Sequence, residues 1–100
     1  MVRPHRVSVT PQDIRERFDL GGYADRAIQA GYTCCVKKVV ACRAATEPNG
    51  TSSVTLEFHD RAGIFVFMVH VYLRPDGQLG ASGKLDPKCL VDDYGTEYFV

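Results

Sequence analysis

Three turn sequences constrain this chain more than any other feature. Glu47-Pro48-Asn49-Gly50 and Arg74-Pro75-Asp76-Gly77 each suit a type I turn closed by a left-handed glycine, which makes a three-residue hairpin with a glycine bulge. Between them, Asp60-Arg61-Ala62-Gly63 separates two more apolar runs. From Tyr32 onward apolar residues recur with a period of two, the pattern of strands with one buried face. The expected strands span 32–46, 51–60, 64–74 and 78–84. A last segment, 88–100, is interrupted by Asp92-Asp93-Tyr94-Gly95 and reads as a final hairpin or one bent strand.

Upstream the signals are helical. Thr10 offers a capping hydroxyl, Pro11 suits the first helical position, and Asp13 falls in the first turn. A helix over 11–20 puts Ile14, Phe18 and Leu20 on one side, and Gly21-Gly22 ends it. A second helix over 23–30 turns Ala24, Ala27 and Ile28 inward and stops at Gly31. Residues 7–9 read as a short strand or an arm. At 100 residues the chain has the size of one domain. The expectation is a single α+β domain over 1–100, two short N-terminal helices packed on one face of a four- to five-stranded antiparallel meander.

The turns also specify register. The first pairs Glu47 with Thr51, hence Ala44 with Val54, Cys42 with Leu56 and Val40 with Phe58. The third pairs Arg74 with Gln78, Leu73 with Leu79 and Val71 with Ala81. If Asp60 pairs with Gly63, Phe58 faces Phe65, Leu56 faces Phe67 and Val54 faces Val69. A slip of one residue would send Thr55, Glu57 and His59 into the core. In the chosen register the core face holds Val36, Val40 and Cys42, Val54, Leu56 and Phe58, Phe65, Phe67, Val69, Val71 and Leu73, with Leu79 and Ala81. The helices cover that face.

The opposite face has an unusual composition. Lys37, Val39, Ala41 and Arg43 fall there, with Thr55, Glu57 and His59, then Ile64, Val66, Met68, His70 and Tyr72, and finally Ser82 and Lys84. Its centre, Val66 and Met68, is apolar and its surround is polar, which is how an interface is built. A sheet face open to water carries more polar residues on its central strand. A second subunit, a ligand or a partner is expected to cover it, with the C-terminal segment as the alternative cover.

Formal charge is zero, with 12 basic and 12 acidic residues, which argues against a nucleic-acid backbone as partner. The start of the chain has no apolar signal region, and the apolar run 64–69 is too short to span a bilayer. The expected location is cytoplasmic, without a membrane partner. Cys34, Cys35, Cys42 and Cys89 match no familiar metal spacing, and neighbouring strand residues point to opposite faces. They read as buried small apolar groups, with no metal and no cofactor expected.

The groups that could carry chemistry are few. His70 sits mid-strand in an apolar run, opposite Ser53 on one side and Ser82 on the other, and reads first as a satisfied structural imidazole. His59 lies too far from it along the sheet to share a metal. Glu57, Arg43 and Lys84 share the open face. A carboxylate, an arginine and a histidine on an open antiparallel sheet backed by helices is the layout of the small microbial ribonucleases, although no sequence motif of that family is present. Gly80-Ala81-Ser82-Gly83-Lys84 is followed by Leu85-Asp86-Pro87 and lacks the spacing of a phosphate loop.

The leading expectation is an interaction or ligand-binding domain, a homodimer through the exposed sheet face, with a small molecule or protein as the other candidate partner. Its contact residues are Val66, Met68, His70, Tyr72, Arg43, Glu57 and Lys84. The alternative is a ribonuclease-like hydrolase using Glu57, Arg43, His59 and His70.

Overall fold

A computed structural model describes residues 5–44, 46–80 and 83–100. The chain is α+β, with two helices and a six-stranded mixed sheet. Its elements run β1 (Arg6–Ser8), α1 (Pro11–Leu20), α2 (Tyr23–Gln29), β2 (Thr33–Ala41), β3 (Ser52–His59), β4 (Phe65–Leu73), β5 (Asp86–Val91) and β6 (Glu97–Phe99). The spatial order is β1-β6-β5-β4-β3-β2. All neighbours are antiparallel except β1 and β6, which run parallel. The expected purely antiparallel sheet of four or five strands is corrected on both counts.

The helices form where their caps place them. The Thr10 hydroxyl accepts from the Asp13 N–H at 3.1 Å, and Pro11 opens α1. Ile14 and Phe18 of α1, with Tyr23 and Ala27 of α2, pack on Phe67, Val69 and Leu90, and Leu56, Phe58 and Tyr98 close the cluster. Leu20 and Ile28 are exposed instead of inward.

The register differs from expectation because of bulges. The middle turn is the same glycine-bulge hairpin as its neighbours: Gly63 has φ 81°, and the Asp60 N–H donates to the Ile64 carbonyl at 2.9 Å. Asp60 therefore pairs across to Ile64 instead of Gly63. One extra residue in β4, Val66, then restores the apolar phase, so Phe58 faces Phe67, Leu56 faces Val69 and Val54 faces Val71. Each β3 residue meets a partner two positions later than expected, which preserves the faces. Phe65 is the exception: it pairs with His59 on the open side, while Val66 joins the core.

A second bulge inserts Lys37 into β2, and a third inserts Lys88 into β5. β2 stops at Ala41, so the first hairpin has a longer connection than its turn residues suggest. Val54 meets Val39 instead of Ala44, and Leu56 meets Val36. Val39 shares the Val54 face and Val40 the other, the reverse of expectation. The helices do not reach β2, where Val36 and Val39 are 62% and 58% exposed. Cys34 and Cys35 are exposed and Cys42 half-buried, so only Cys89 is a buried cysteine.

The segment 78–84 is not a strand among its described residues. It contributes one bridge, Leu73 to Leu79; Ala81 and Ser82 lie outside the described residues. Glycines at 77, 80 and 83 supply no side chains to pack there. The neighbour of β4 is β5, which begins at Asp86-Pro87, a pair that otherwise reads as a turn. Pro87 is tolerated because it lies beside the bulge at Lys88, where ladder bonding is already interrupted. The C-terminal segment forms the β5–β6 hairpin and extends the sheet instead of covering it.

Candidate functional site

One line of paired residues crosses the open face of the sheet. Cys35 pairs with Glu57, Glu57 with Met68, Met68 with Cys89, Cys89 with Phe99 and Phe99 with Ser8. Partners opposite each other in a ladder project to the same side. The middle of this row forms the floor of a groove of about 610 Å³. Phe65 and Val100 add apolar wall, and Arg6, Glu57, Lys88 and Glu97 supply its charged groups. Bulged sheets bend, and the three extra residues bear directly on this site: Lys37 stands beside Glu57, Lys88 lines the groove, and Val66 leaves the open face.

Two partly buried carboxylates flank the floor, Glu57 and Glu97, 19% and 21% exposed. Glu57 has Lys37 Nζ at 3.4 Å on one oxygen and His59 Nε2 at 3.5 Å on the other. Glu97 is held more closely: Arg6 Nε donates to Oε2, and the Cys89 thiol donates to Oε1 at 3.2 Å. The Arg6 guanidinium also lies 4.3 Å over the Phe99 ring. Burial pushes the Cys89 thiol up to about 12; its bond to Glu97 and the charges of Glu97 and Glu57 add to that, and Arg6 opposes it. The thiol at the floor is therefore protonated across the neutral range.

The structure separates the residues singled out in the sequence. Glu57, His59 and Met68 come together at the groove or its edge. Val66 does not; it is a core residue. Arg43 lies beyond β2 in an exposed segment, and Lys37 takes the place beside Glu57 that the hydrolytic arrangement gives to Arg43. His70 pairs with Thr55, one same-face step from Glu57 and closer than expected. It turns to the Ser53 hydroxyl and meets the Tyr72 ring edge-on at 4.8 Å, which is the arrangement of a satisfied imidazole. Lys84 and Tyr72 line a separate recess of about 120 Å³ with Arg15 and Asp86.

Sequence reading missed the groove's far wall. Arg6, Glu97 and Phe99 come from strands at opposite ends of the chain, and only the β1–β6 pairing unites them. In sequence the segment 88–100 reads as a hairpin or bent strand, with nothing to mark residues 6–8 as its partner. A second concavity, about 400 Å³, lies where α1 and α2 meet the β5–β6 turn. There Arg17 stacks on Tyr98 at 4.1 Å and Arg26 on Tyr23 at 4.8 Å. Asp13 and Asp93 neutralise these arginines, so the charges there are compensated.

No helix is long and apolar enough to cross a membrane among the described residues. Comparison with protein-family models, curated proteins and solved structures finds no significant match.

Proposed function

We propose that this chain is a binding domain that holds a small amphipathic molecule on the open face of its sheet. The observation that supports this is the groove itself. A concavity of about 610 Å³ falls within the roughly 300–1,000 Å³ usual for small-molecule sites. It joins an apolar lining of Met68, Cys89, Phe65 and Phe99 to a few charged groups, the composition such sites share. Three strand spacings separate Glu57 from Phe99, so a ligand lying along the row can be about 14 Å long.

A second copy of the chain is the competing occupant of the same face. Val40, 45% exposed on the β2 end of that face, gives this reading its support. One experiment separates the two. Amide spectra of labelled protein, recorded against a small-molecule fragment set, should show shifts confined to Glu57, Met68, Cys89 and Phe99. Met68→Trp should fill the groove and abolish those shifts while the protein stays folded. Sedimentation at micromolar protein should give a monomer. A dimer that Met68→Lys dissociates, with no fragment shifting the row, would replace the ligand by a subunit.

A further inference from the structure

We propose that the groove takes an organic cation: an ammonium or amidinium head at Glu57, carried on an apolar body that lies over Met68, Phe65 and Phe99. This rests on the ligand-binding reading above and names the ligand class.

Glu57 carries most of the argument. It is a partly buried carboxylate with Lys37 Nζ at 3.4 Å and His59 Nε2 at 3.5 Å. A charge-assisted hydrogen bond to a carboxylate closes to roughly 2.7–2.9 Å. Lys37 neutralises part of its charge, and neither neighbour is close enough to saturate its lone pairs. A ligand N–H entering over Met68 can approach closer than either.

The cations of the lining are committed elsewhere. Lys88 Nζ contacts Asp86 at 2.9 Å, and Arg6 is bonded to Glu97 and stacked on Phe99. An anionic ligand would have to break one of these pairs while lying near two carboxylates. A cationic ligand leaves both of these pairs intact and competes only with the longer Lys37 contact at Glu57.

The floor suits an apolar body and disfavours an anion. The Phe99 face is already taken by the Arg6 guanidinium at 4.3 Å, which Glu97 neutralises. The Cys89 thiol, between the two carboxylates, resists becoming an anion. Burial is the larger cause, and the charges of Glu97 and Glu57 add to it, so an anionic group is disfavoured at this floor.

The test uses a matched pair of probes, 4-phenylbutylamine and 4-phenylbutyrate, titrated into the labelled 100-residue chain. The amine should shift Glu57, Met68, Cys89 and Phe99 and bind about tenfold tighter than the carboxylate. Added salt should weaken the amine. Glu57→Gln should remove the preference, and Met68→Lys should reverse it. If Glu57→Gln fails to fold, the Met68→Lys reversal and the salt dependence decide. Equal or tighter binding of the carboxylate in the groove would overturn the cation assignment and leave the binding reading standing. If neither probe shifts the row at about 10 mM, the groove reading falls and the cation assignment falls with it.

Discussion

Phe58 and Phe67 lie directly opposite each other across β3 and β4, their rings stacked with centroids 4.5 Å apart and planes 16° from parallel. Phe18 meets Phe67 edge-on at 5.2 Å and Tyr23 does so at 6.0 Å. Phe67 thus joins both helices to the centre of the sheet, with no exposed surface of its own.

Phe67→Ala should therefore cost about 3–5 kcal/mol, the range for emptying a buried aromatic site. Phe65→Ala removes a ring that faces the groove, so its cost should be clearly smaller. Urea denaturation of the two variants compares them. Equal losses would mean that both rings occupy the core.

Cys89 should be silent to thiol reagents at neutral pH while Cys34 and Cys35 react, because the latter are exposed. Its thiol is raised from 9.0 to about 12 in the folded protein. Below pH 9 the group is protonated in both folded and unfolded states, and its contribution to stability is complete. As pH rises from 9 through about 12, the unfolded chain ionises first and that contribution is lost. Melting temperature should fall across this window, and Cys89→Ala should flatten the fall. Rapid labelling of Cys89 in the native protein would contradict the buried placement.

Gly80 is packed against a carboxylate. A Cβ there would stand 2.6 Å from both Glu47 oxygens, and the Glu47 side chain is almost fully buried and paired with Arg74 at 2.8 Å. Glu47 in turn holds the Arg74 guanidinium above its usual range. Gly80→Ala should displace Glu47 and lower the melting temperature. A Glu47→Ala background should recover part of that loss. Unchanged stability in Gly80→Ala alone would show that Glu47 relaxes without cost.

The long open edge of the sheet is β2, and Lys37 and Lys38 sit at its bulge. Lysines and bulges are devices that keep edges from pairing with other chains. Replacing both with valine should produce concentration-dependent association, measured by light scattering. A double variant that stays monomeric would place the protection in the bulge geometry instead of the charge.

Much of the fold was legible because local and long-range signals agreed. Thr10-Pro11 marked the start of α1, Gly21-Gly22 its end, and Pro75-Asp76-Gly77 the turn that closes Arg74 on Gln78 at 2.8 Å. The alternation in β3 and β4 put Val54, Leu56, Phe58, Phe67 and Val69 on the helix side. The three bulges were not legible, because an inserted residue such as Lys37, Val66 or Lys88 has no chemical mark of its own. Their effects fell on the site: they moved Val66 inward, brought Lys37 to Glu57, and left Arg43 outside. β1 was short enough to read as an arm, and its parallel pairing with β6 depends on where both chain segments arrive in space.

That pairing has a kinetic consequence. The connections between successive strands of the meander span 5 to 12 residues, whereas the Arg6–Glu97 contact joins positions 91 apart in sequence. Loop-closure entropy makes such long-range contacts late to form. Three residues per strand then hold them with few ladder bonds, so they open at low free energy. Glu97 and Phe99 are held by the local β5–β6 hairpin, so the part of the wall expected to dock late and open first is Arg6 on β1. Entry to the floor can be timed by the fraying of β1 from β6, a local event that leaves the Phe67 core intact.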